Sequence, residues 1–385
     1  MLLYIHVPFC VRKCGYCAFH SGLFSLREAG RYVDLVVMEM AWWAKTLGPA
    51  EVQTVYLGGG TPSLLTPYQV EAILAAAHRH FAVSPDAEIT LEANPESALA
   101  DGFLSEIRKL GVNRLSLGVQ SLRDDLLFLL GRPHDSVQAC RAVDAARKAG
   151  FANLSLDMMW GLPGQSLAIW LEDLARSVDL GPDHLSCYGL TLENGTPLAR
   201  RAAAGELGLP DDEEEASMFE QGAAFLGTRG FEHYEISNFA RPGCKSRHNF
   251  GYWTGQDYLG LGPSAVSTLG EYRWTNPEGL EAYSETVQGN GKGRAVETLH
   301  WDTRRREQVM LAMRTGRGLD LKNNTALTGM DFSGLLSAVE PLRSGGLVRL
   351  RSGHLQLTRN GMLVSNSVIE HLLDVIDRMH DTGNV

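Results

Sequence analysis

The sequence predicts an α/β protein: an incomplete (β/α)6 barrel joined to a small, winged-helix-like α+β domain at the C-terminal end. Two observations predict this fold. In the first 200 of the 385 residues, six apolar segments of strand length alternate with segments of helical periodicity. Each apolar segment also runs directly into polar or glycine-rich residues, as expected where parallel strands end at the functional face of a barrel. Towards the C-terminus this alternation gives way to helices and a single hairpin.

The six strand–helix units follow one another along the chain. Because such units form parallel sheets with right-handed crossovers, their strands should lie side by side in chain order. Six units are too few to close an eight-stranded barrel, so we expect a lateral opening that admits a large substrate. The predicted strands span residues 2–9, 54–57, 88–93, 114–119, 153–159 and 184–192, and the predicted helices span 26–45, 67–81, 99–110, 123–130, 136–149 and 167–180.

The rest of the chain divides into two further parts. We predict that residues 1–200 form the barrel, that 201–298 extend it and that 299–385 form the C-terminal domain. The extension should contain a helix over 212–229 and an extra strand over 231–239.

The C-terminal part carries alternating residues on both sides of a Ser-Gly pair, which is typical of a hairpin. Three helices should surround this hairpin, and together they suggest a winged-helix-like domain. The predicted hairpin strands span 347–351 and 354–357, and the predicted helices span 302–314, 332–343 and 360–378.

The composition excludes several classes of function. The formal net charge of −10 argues against non-specific binding to nucleic acid. No apolar run approaches the roughly 20 residues that a membrane-spanning helix needs. The N-terminal residues lack the pattern of a secretory signal peptide. We therefore expect a cytoplasmic protein that has no nucleic-acid partner.

Three cysteines, Cys10, Cys14 and Cys17, fall within eight residues directly after the first strand. Thiolates this close together can bind one face of a soft metal centre. A zinc site would require a fourth ligand, and no residue nearby offers one at a usable spacing. Three cysteines on a 4Fe–4S cubane leave one iron open to a chelating molecule. The alternatives are three structural cysteines or a zinc knuckle. The C-x3-C-x2-C spacing resembles that of radical S-adenosylmethionine (SAM) proteins.

Residues suited to hold SAM follow the second to fifth strands. Gly59, Gly60 and Thr61 offer backbone groups that the amino-acid end of SAM can approach closely. Carboxylates and amides at strand ends can bind ribose hydroxyls or the methionine ammonium group, and an arginine can pair with the carboxylate. The alternative for each is a rim residue that satisfies the local backbone. The strand-end residues are Glu92, Gln120 and Asp157, followed by Arg132 in the fourth loop.

One histidine outside the barrel units, His248, stands among polar and aromatic residues. Imidazole is a common axial ligand of haem iron, and aromatic neighbours suit a macrocycle. The alternative is a structural histidine packed under aromatic rings, and the local sequence favours it.

Beyond the cysteines, the chain resembles the oxygen-independent coproporphyrinogen-III-oxidase-like branch of radical SAM proteins, and within it the haem-chaperone group. The motifs that carry the resemblance cover nearly the whole chain: residues 4–10, 58–62, 91–95, 117–121, 161–165, 234–240 and the H-N-x-x-Y-W run at 248–253. The resemblance implies that Cys10, Cys14 and Cys17 hold a 4Fe–4S cluster. It raises His248 to the favoured haem contact. It implies SAM contacts from Tyr4, Tyr16, Gly59, Gly60, Thr61, Glu92, Gln120, Arg132, Asp157 and Thr191.

Two features favour the chaperone group over the dehydrogenases of this branch. The dehydrogenases resemble C-x3-C-x2-C-x-C, whereas Phe19 stands at the position of their fourth cysteine. They also carry an N-terminal extension, whereas this chain starts three residues before Tyr4. The resemblance therefore implies a chaperone that carries haem as cargo to haem-requiring acceptors such as respiratory enzymes. It leaves open a homodimer and peripheral proximity to the membrane.

Two enzymatic alternatives remain. One is a coproporphyrinogen III dehydrogenase, which decarboxylates propionate side chains in porphyrin biosynthesis, and the other is a radical SAM enzyme that acts on another tetrapyrrole, for instance in haem degradation. The chain also departs from the family at potential iron ligands. Val266 replaces a common histidine, and Ser246 replaces a cysteine that has its nearest counterpart in Cys244. Ala18 stands where an aspartate is usual.

Overall fold

The fold is taken from a computed structural model, which describes residues 1–18, 20–323 and 332–383. Its largest sheet has 12 strands and is built mainly from the first 189 residues. The elements of this part are β1 (Leu2–Val7), β2 (Phe9–Cys10), β3 (Gly22–Leu23), α1 (Leu26–Leu47), β4 (Glu51–Gly59), a 3-10 turn (Pro62–Leu64), α2 (Pro67–His80), β5 (Ala82–Ala93), α3 (Pro95–Ala98), α4 (Phe103–Lys109), β6 (Arg114–Gln120), α5 (Asp124–Leu130), α6 (Ser136–Lys148), β7 (Asn153–Trp160), α7 (Leu167–Asp179) and β8 (His184–Gly189).

Strands β1, β4, β5, β6, β7 and β8 lie side by side and parallel, in chain order, as predicted. Four of the helices between them, α1, α2, α6 and α7, begin at side-chain caps. Thr66 forms a capping box with Gln69 at the start of α2, and Asp135 does the same with Gln138 at the start of α6. The helix predicted over 99–110 is shorter in the structure: α4 begins only at Phe103, after the left-handed Gly102, and α3 ends at Ala98, before the predicted range.

The second part adds strands to both edges of this sheet. Its elements are α8 (Pro197–Ala203), α9 (Asp212–Thr228), β9 (Glu232–His233), β10 (Asn238–Ala240), α10 (Arg247–Trp253), β11 (Tyr258–Leu261), β12 (Val266–Leu269), β13 (Tyr272–Thr275), α11 (Leu280–Gln288) and β14 (Ala295–Thr298). Strand β11 pairs parallel with β1 and continues through β12 and β13 to the edge strand β14. The single strand predicted over 231–239 is wrong: β9 and β10 form an antiparallel pair, and β10 extends the sheet from β8.

The C-terminal part has its own three-stranded sheet and its own aliphatic core. The predicted hairpin is confirmed, and the helix predicted over 332–343 is divided at Val339. The elements are α12 (Trp301–Met313), β15 (Leu319–Asp320), α13 (Phe332–Ala338), α14 (Glu340–Ser344), β16 (Val348–Arg351), β17 (His354–Leu357), α15 (Arg359–Leu363) and α16 (Ser365–Gly383). The backbone contacts the second part at Tyr234, whose carbonyl oxygen accepts a hydrogen bond from the Gly316 N–H at 2.8 Å.

The interior of the parallel strands is polar rather than aliphatic. Side chains from β4 to β8 and from α10 line a small enclosed cavity of about 20 Å3 below the carboxyl ends of the strands. Its polar lining includes Arg114, Ser116, Ser155, His184 and Ser186. We call this region the lumen. The apolar core lies outside it, between the strands and the surrounding helices.

Candidate functional site

The carboxyl ends of the parallel strands surround a cavity of about 320 Å3, which we call the upper cavity. All three motif cysteines line it, together with residues from the ends of five strands, β4 to β8. Its lining includes Cys10, Cys14, Tyr16, Cys17, Gly59, Gly60, Thr61, Glu92, Asn94, Gly118, Gln120, Arg132, Asp157, Met159 and Tyr188. Residues that the sequence scatters over 180 positions therefore meet at one site.

Backbone hydrogen bonds fix the loop that carries the cysteines. Strands β2 and β3 pair at its two ends, and the Phe24 N–H donates to the Cys10 carbonyl oxygen at 3.0 Å. In the middle of the loop, the Gly15 N–H donates to the carbonyl oxygen of Leu130 at 3.1 Å, and its own carbonyl oxygen accepts from the Leu198 N–H at 2.9 Å. Helices α5 and α8 thus hold the loop between them.

Two of the thiols have polar partners. The Thr61 hydroxyl donates to Cys10 Sγ at 3.6 Å, and Arg132 Nη1 donates to Cys14 Sγ at 3.5 Å. Both sulfur atoms thus have a hydrogen-bond donor beside them within the cavity.

The two glycines beside the cysteine loop lie so close to neighbouring atoms that neither position has space for a side chain. Gly59 has a φ of +106°, and a Cβ there would lie 2.5 Å from the His6 ring. A Cβ on Gly60 would lie 2.5 Å from the Phe9 carbonyl oxygen and 2.8 Å from that of Val7. The Gly60 contacts are with backbone atoms, and the positive φ of Gly59 disfavours any side chain, so the loop cannot accommodate a larger residue at either position without moving.

Glu92 is held at the cavity wall by two hydrogen bonds. Its Oε1 accepts from the Tyr56 hydroxyl at 2.6 Å, and its Oε2 accepts from the Gly59 N–H at 3.1 Å. Burial raises the pKa of Glu92 to about 7, against the stabilising effect of both bonds and with a further contribution from nearby Asp157. The carboxyl group is therefore poised to lose its proton when a cation arrives.

Asp157 and Gln120 complete the wall on the next strands. Asp157 Oδ1 accepts from the Ser116 hydroxyl at 3.1 Å, and burial raises the pKa of this carboxyl group. Gln120 ends β6 with a φ of +69°, a left-handed conformation that is rare for a residue other than glycine. Strained backbone of this kind is concentrated at functional sites.

Arg132 joins the cysteine loop to the strand ends. Its Nη2 donates to Asn94 Oδ1 at 2.6 Å and to the Gly118 carbonyl oxygen at 2.7 Å. Its buried Nε has no hydrogen-bond partner among the described residues. Sequence reasoning missed Asn94, although this residue follows Glu92 in one of the family motifs. It also missed Tyr188, which the end of the sixth strand could have indicated.

The three remaining predicted SAM contacts differ in placement. Tyr16 lines the upper cavity, and burial raises the pKa of its hydroxyl to about 12. Tyr4 lies below the cavity, where its hydroxyl bonds His6 Nδ1 at 3.0 Å. Thr191 is exposed in the loop after β8 and does not line the cavity.

His248 lies apart from the upper cavity, on the short helix α10. Its side chain packs against Tyr56, which lines the lumen, and only 1% of the residue is exposed. Nδ1 bonds the Thr54 hydroxyl at 2.7 Å and Nε2 bonds the Tyr252 hydroxyl at 2.9 Å. Burial lowers the pKa of the imidazole to about 3, so the ring is neutral. As placed, neither ring nitrogen is available to an iron atom, so its haem contact stays a prediction.

Comparison with known proteins agrees with this geometry. Residues 4–176 match the model of the radical SAM superfamily, and residues 299–364 match that of the HemN C-terminal domain. Heme chaperone HemW of Mycobacterium tuberculosis is 38% identical over 381 residues, which cover 96% of this chain and 94% of that protein. The chain belongs to the HemW family of radical SAM proteins.

Further HemW relatives match over similar lengths. Heme chaperone HemW of Bacillus subtilis is 33% identical, with 95% of this chain and 97% of that protein covered. Among solved structures, coproporphyrinogen III oxidase (HemN) from Escherichia coli has a TM-score of 0.80 at 26% identity and covers 98% of this chain and 90% of that one. This likeness agrees with the partial barrel and C-terminal domain predicted from the sequence.

The radical SAM superfamily uses a 4Fe–4S cluster and SAM, and the residues of the upper cavity fit both. No fourth cysteine and no histidine is among the residues that line this cavity. Within the described part of the chain, no three His, Cys, Asp or Glu residues form a group suited to one metal ion. The buried Arg132 Nε, which has no hydrogen-bond partner among the described residues, can donate to a polar ligand beside the cysteines.

No helix in the described ranges is both long and apolar enough to span a bilayer.

Proposed function

We propose that this protein is a haem chaperone, which binds haem on a radical SAM scaffold and delivers it to haem-requiring proteins. The observation that carries the proposal is the similarity, over nearly the full chain, to proteins named Heme chaperone HemW in several bacteria. Respiratory enzymes are the acceptors we propose, reached in the cytoplasm at the membrane surface, with a homodimer as the working form.

Cys10, Cys14 and Cys17 hold the 4Fe–4S cluster in this proposal. When bound, the cluster supplies single electrons to the sulfonium group of SAM. Arg132 and the glycine loop bind the amino-acid end of SAM, Glu92 and Asp157 accept hydrogen bonds from its ammonium and hydroxyl groups, and the strand ends exclude water. These roles are supported by the shared cavity. The remaining SAM contacts are Tyr4, Tyr16, Gln120 and Thr191, of which Thr191 has the least structural support.

His248 is the haem contact that the family resemblance favours. To bind iron, its Nε2 must first release the Tyr252 hydroxyl, because that bond occupies the nitrogen. Haem binding by His248 therefore requires a rearrangement of α10. Phe19, the residue that separates chaperones from dehydrogenases in sequence, lies outside the described residues.

The C-terminal domain and the barrel are proposed to be separate units with boundaries near residues 200 and 298. The two apolar clusters support the boundary near 298, because one is formed by residues from Leu3 to Trp274 and the other by residues from Val309 to Ile376. The boundary near 200 rests on the sequence pattern alone. The upper cavity belongs to the first unit alone.

A coproporphyrinogen III dehydrogenase is the second candidate. The likeness to HemN, both in structure and in the C-terminal domain, favours it. A dehydrogenase must turn over its substrate, whereas a chaperone needs only to bind haem and transfer it.

Anaerobic turnover separates the two functions. Protein with a reconstituted cluster is supplied with SAM, a reductant and coproporphyrinogen III, and the oxidised porphyrins are separated by chromatography. We expect no protoporphyrin, and we expect the same protein to bind haem in a spectroscopic titration and to pass it to an apo-cytochrome. Formation of protoporphyrin would establish the enzyme. Failure to bind haem would refute the chaperone.

A further inference from the structure

The imidazole of His248 lies against the ring that positions Glu92. The rings of His248 and Tyr56 are stacked, with centroids 4.8 Å apart and planes inclined by 28°. The hydroxyl group of Tyr56 donates to Glu92 Oε1 at 2.6 Å. The stack and the hydrogen bond together connect helix α10 to the wall of the upper cavity.

The His248 ring is itself fixed on every side. Its two nitrogens bond the hydroxyl groups of Thr54 and Tyr252, and its backbone N–H donates to Glu88 Oε1 at 3.0 Å. Thr54 and Tyr56 are on the same strand, β4, two positions apart, and so face the same side. The imidazole is neutral and buried, which leaves it no competing interaction with solvent.

We propose that His248 is a positioning residue for SAM binding, which acts through Tyr56 on Glu92. The stack fixes the direction of the Tyr56 hydroxyl, and that hydroxyl fixes one carboxylate oxygen. The Gly59 N–H fixes the other oxygen, so the carboxylate faces the cavity in a single orientation before SAM arrives. Preorganisation of this kind improves affinity because less order remains to be imposed on binding. This role concerns the haem-free protein and goes beyond haem delivery.

A second buried histidine shows what a merely structural role looks like. His184 lines the lumen, is 1% exposed, and bonds Ser155 through Nδ1 and Tyr234 through Nε2, both at 2.8 Å. Neither of its bonded partners lines the upper cavity, and one of them, Tyr234, contacts the C-terminal domain. His184 is therefore a matched control for burial and hydrogen bonding without the stack on Tyr56.

The test measures the SAM dissociation constant of cluster-reconstituted protein by equilibrium dialysis, without haem. We expect His248→Ala and Tyr56→Phe each to raise this constant about fivefold to tenfold, the effect of one hydrogen bond. His248→Phe keeps a ring against Tyr56 and should recover most of the affinity. His184→Ala should lower the melting temperature as much as His248→Ala does, with SAM affinity unchanged. In a Tyr56→Leu background, His248→Ala should add no further loss.

Parental SAM affinity in both His248→Ala and Tyr56→Phe would overturn the proposal. Equal losses in His184→Ala and His248→Ala would also overturn it, because they would show a general loss of structure. If His248→Ala does not fold, Tyr56→Phe decides, and parental affinity there refutes the role. A parent protein that binds no SAM at all would refute the inference together with the cofactor assignment, while leaving haem transfer to its own assay.

Discussion

The lumen of the barrel and the core of the C-terminal domain are built on opposite principles. The C-terminal core is aliphatic, with Val309, Leu319, Leu355, Leu372 and Ile376 all less than 4% exposed. The lumen instead buries polar and charged side chains, including Arg114, Ser116 and Ser155, each of which is hydrogen-bonded. Buried polar groups contribute little net stability but permit only a few geometries. The comparison indicates that the first region is specialised for orientation and the second for stability.

The cluster ligands should give the largest effect in this comparison. We expect Cys14→Ser to abolish the visible absorption of the reconstituted cluster, because two remaining thiolates do not hold a cubane securely. Cys140→Ser is the control, since this half-buried thiol is on α6 and does not line the upper cavity. Normal cluster content in Cys14→Ser would show that the three-cysteine assignment is wrong.

The aliphatic core should respond in stability alone. Leu355→Ala removes a fully buried side chain and should lower the free energy of unfolding of the C-terminal domain by about 3 kcal/mol. Urea denaturation, followed by fluorescence, measures this loss. SAM affinity below the unfolding transition should equal that of the parent. A parallel fall in SAM affinity would contradict the proposal that the C-terminal core contributes to stability alone.

The lumen side should respond to pH. SAM carries a net positive charge, and Glu92 must be ionised to attract it. Because the pKa of Glu92 is raised to about 7, SAM affinity should fall as the pH is lowered through 7, by at most about tenfold per pH unit. Glu92→Gln should bind more weakly and largely lose this dependence. Glu235 is the control, because burial also raises its pKa to about 7 but it lies outside the upper cavity; Glu235→Gln should keep the parental profile.

Without SAM, the raised pKa of Glu92 acts in the opposite direction, because it lowers the stability of the folded protein as the pH rises. A carboxyl group with a raised pKa holds its proton in the folded state when the unfolded chain has already lost it. Glu92 and Glu235 therefore make the folded state less stable as the pH rises from about 4.5 to about 7. Denaturation midpoints at several pH values check the sign, and stability that rises across this window in parent but not in the double Gln variant would contradict it.

Haem binding should produce the smallest of these effects, a severalfold change in SAM affinity. If haem takes the Nε2 atom of His248, the imidazole leaves its place under Tyr56 and SAM affinity should fall severalfold. By linkage, SAM should weaken haem binding by the same factor. Titration of haem with and without SAM measures this coupling. Equal haem affinities would mean that haem is bound without displacing His248 from the stack.

Most of the barrel was predictable because its signal is local. Apolar strands that end at Gly59, Glu92 and Gln120 carried enough pattern to predict the strand order and the shared rim of the site. The strand over Asn153–Trp160 was equally clear from its apolar residues. Asp157, an acidic residue within that run, indicated a functional side chain.

The additions to the barrel were not predictable from local pattern. Helix α10 has seven residues, too few to show a helical period, and its position in the lumen depends on bonds to Thr54 and Glu88, about 160 or more residues away. The pattern of the segment that contains Glu235 predicts one strand. In the structure the buried Glu235 carboxylate accepts a hydrogen bond from the Ser237 N–H, and the chain turns there. The orientation of His248 follows from both contacts. The local sequence favoured a structural histidine packed under aromatic rings, as the structure shows, whereas the haem contact was implied only by the family resemblance.

The bonds that hold the cysteine loop have a consequence for the biogenesis of the protein. Gly15 is anchored to Leu198, and β1 is bordered on one side by β11, which ends at Leu261. A nascent chain therefore carries its cysteines out of the ribosome long before the elements that fix them exist. We expect iron–sulfur delivery to follow translation of at least the first 200 residues, so truncated chains that end before α8 should fail to retain a cluster when expressed.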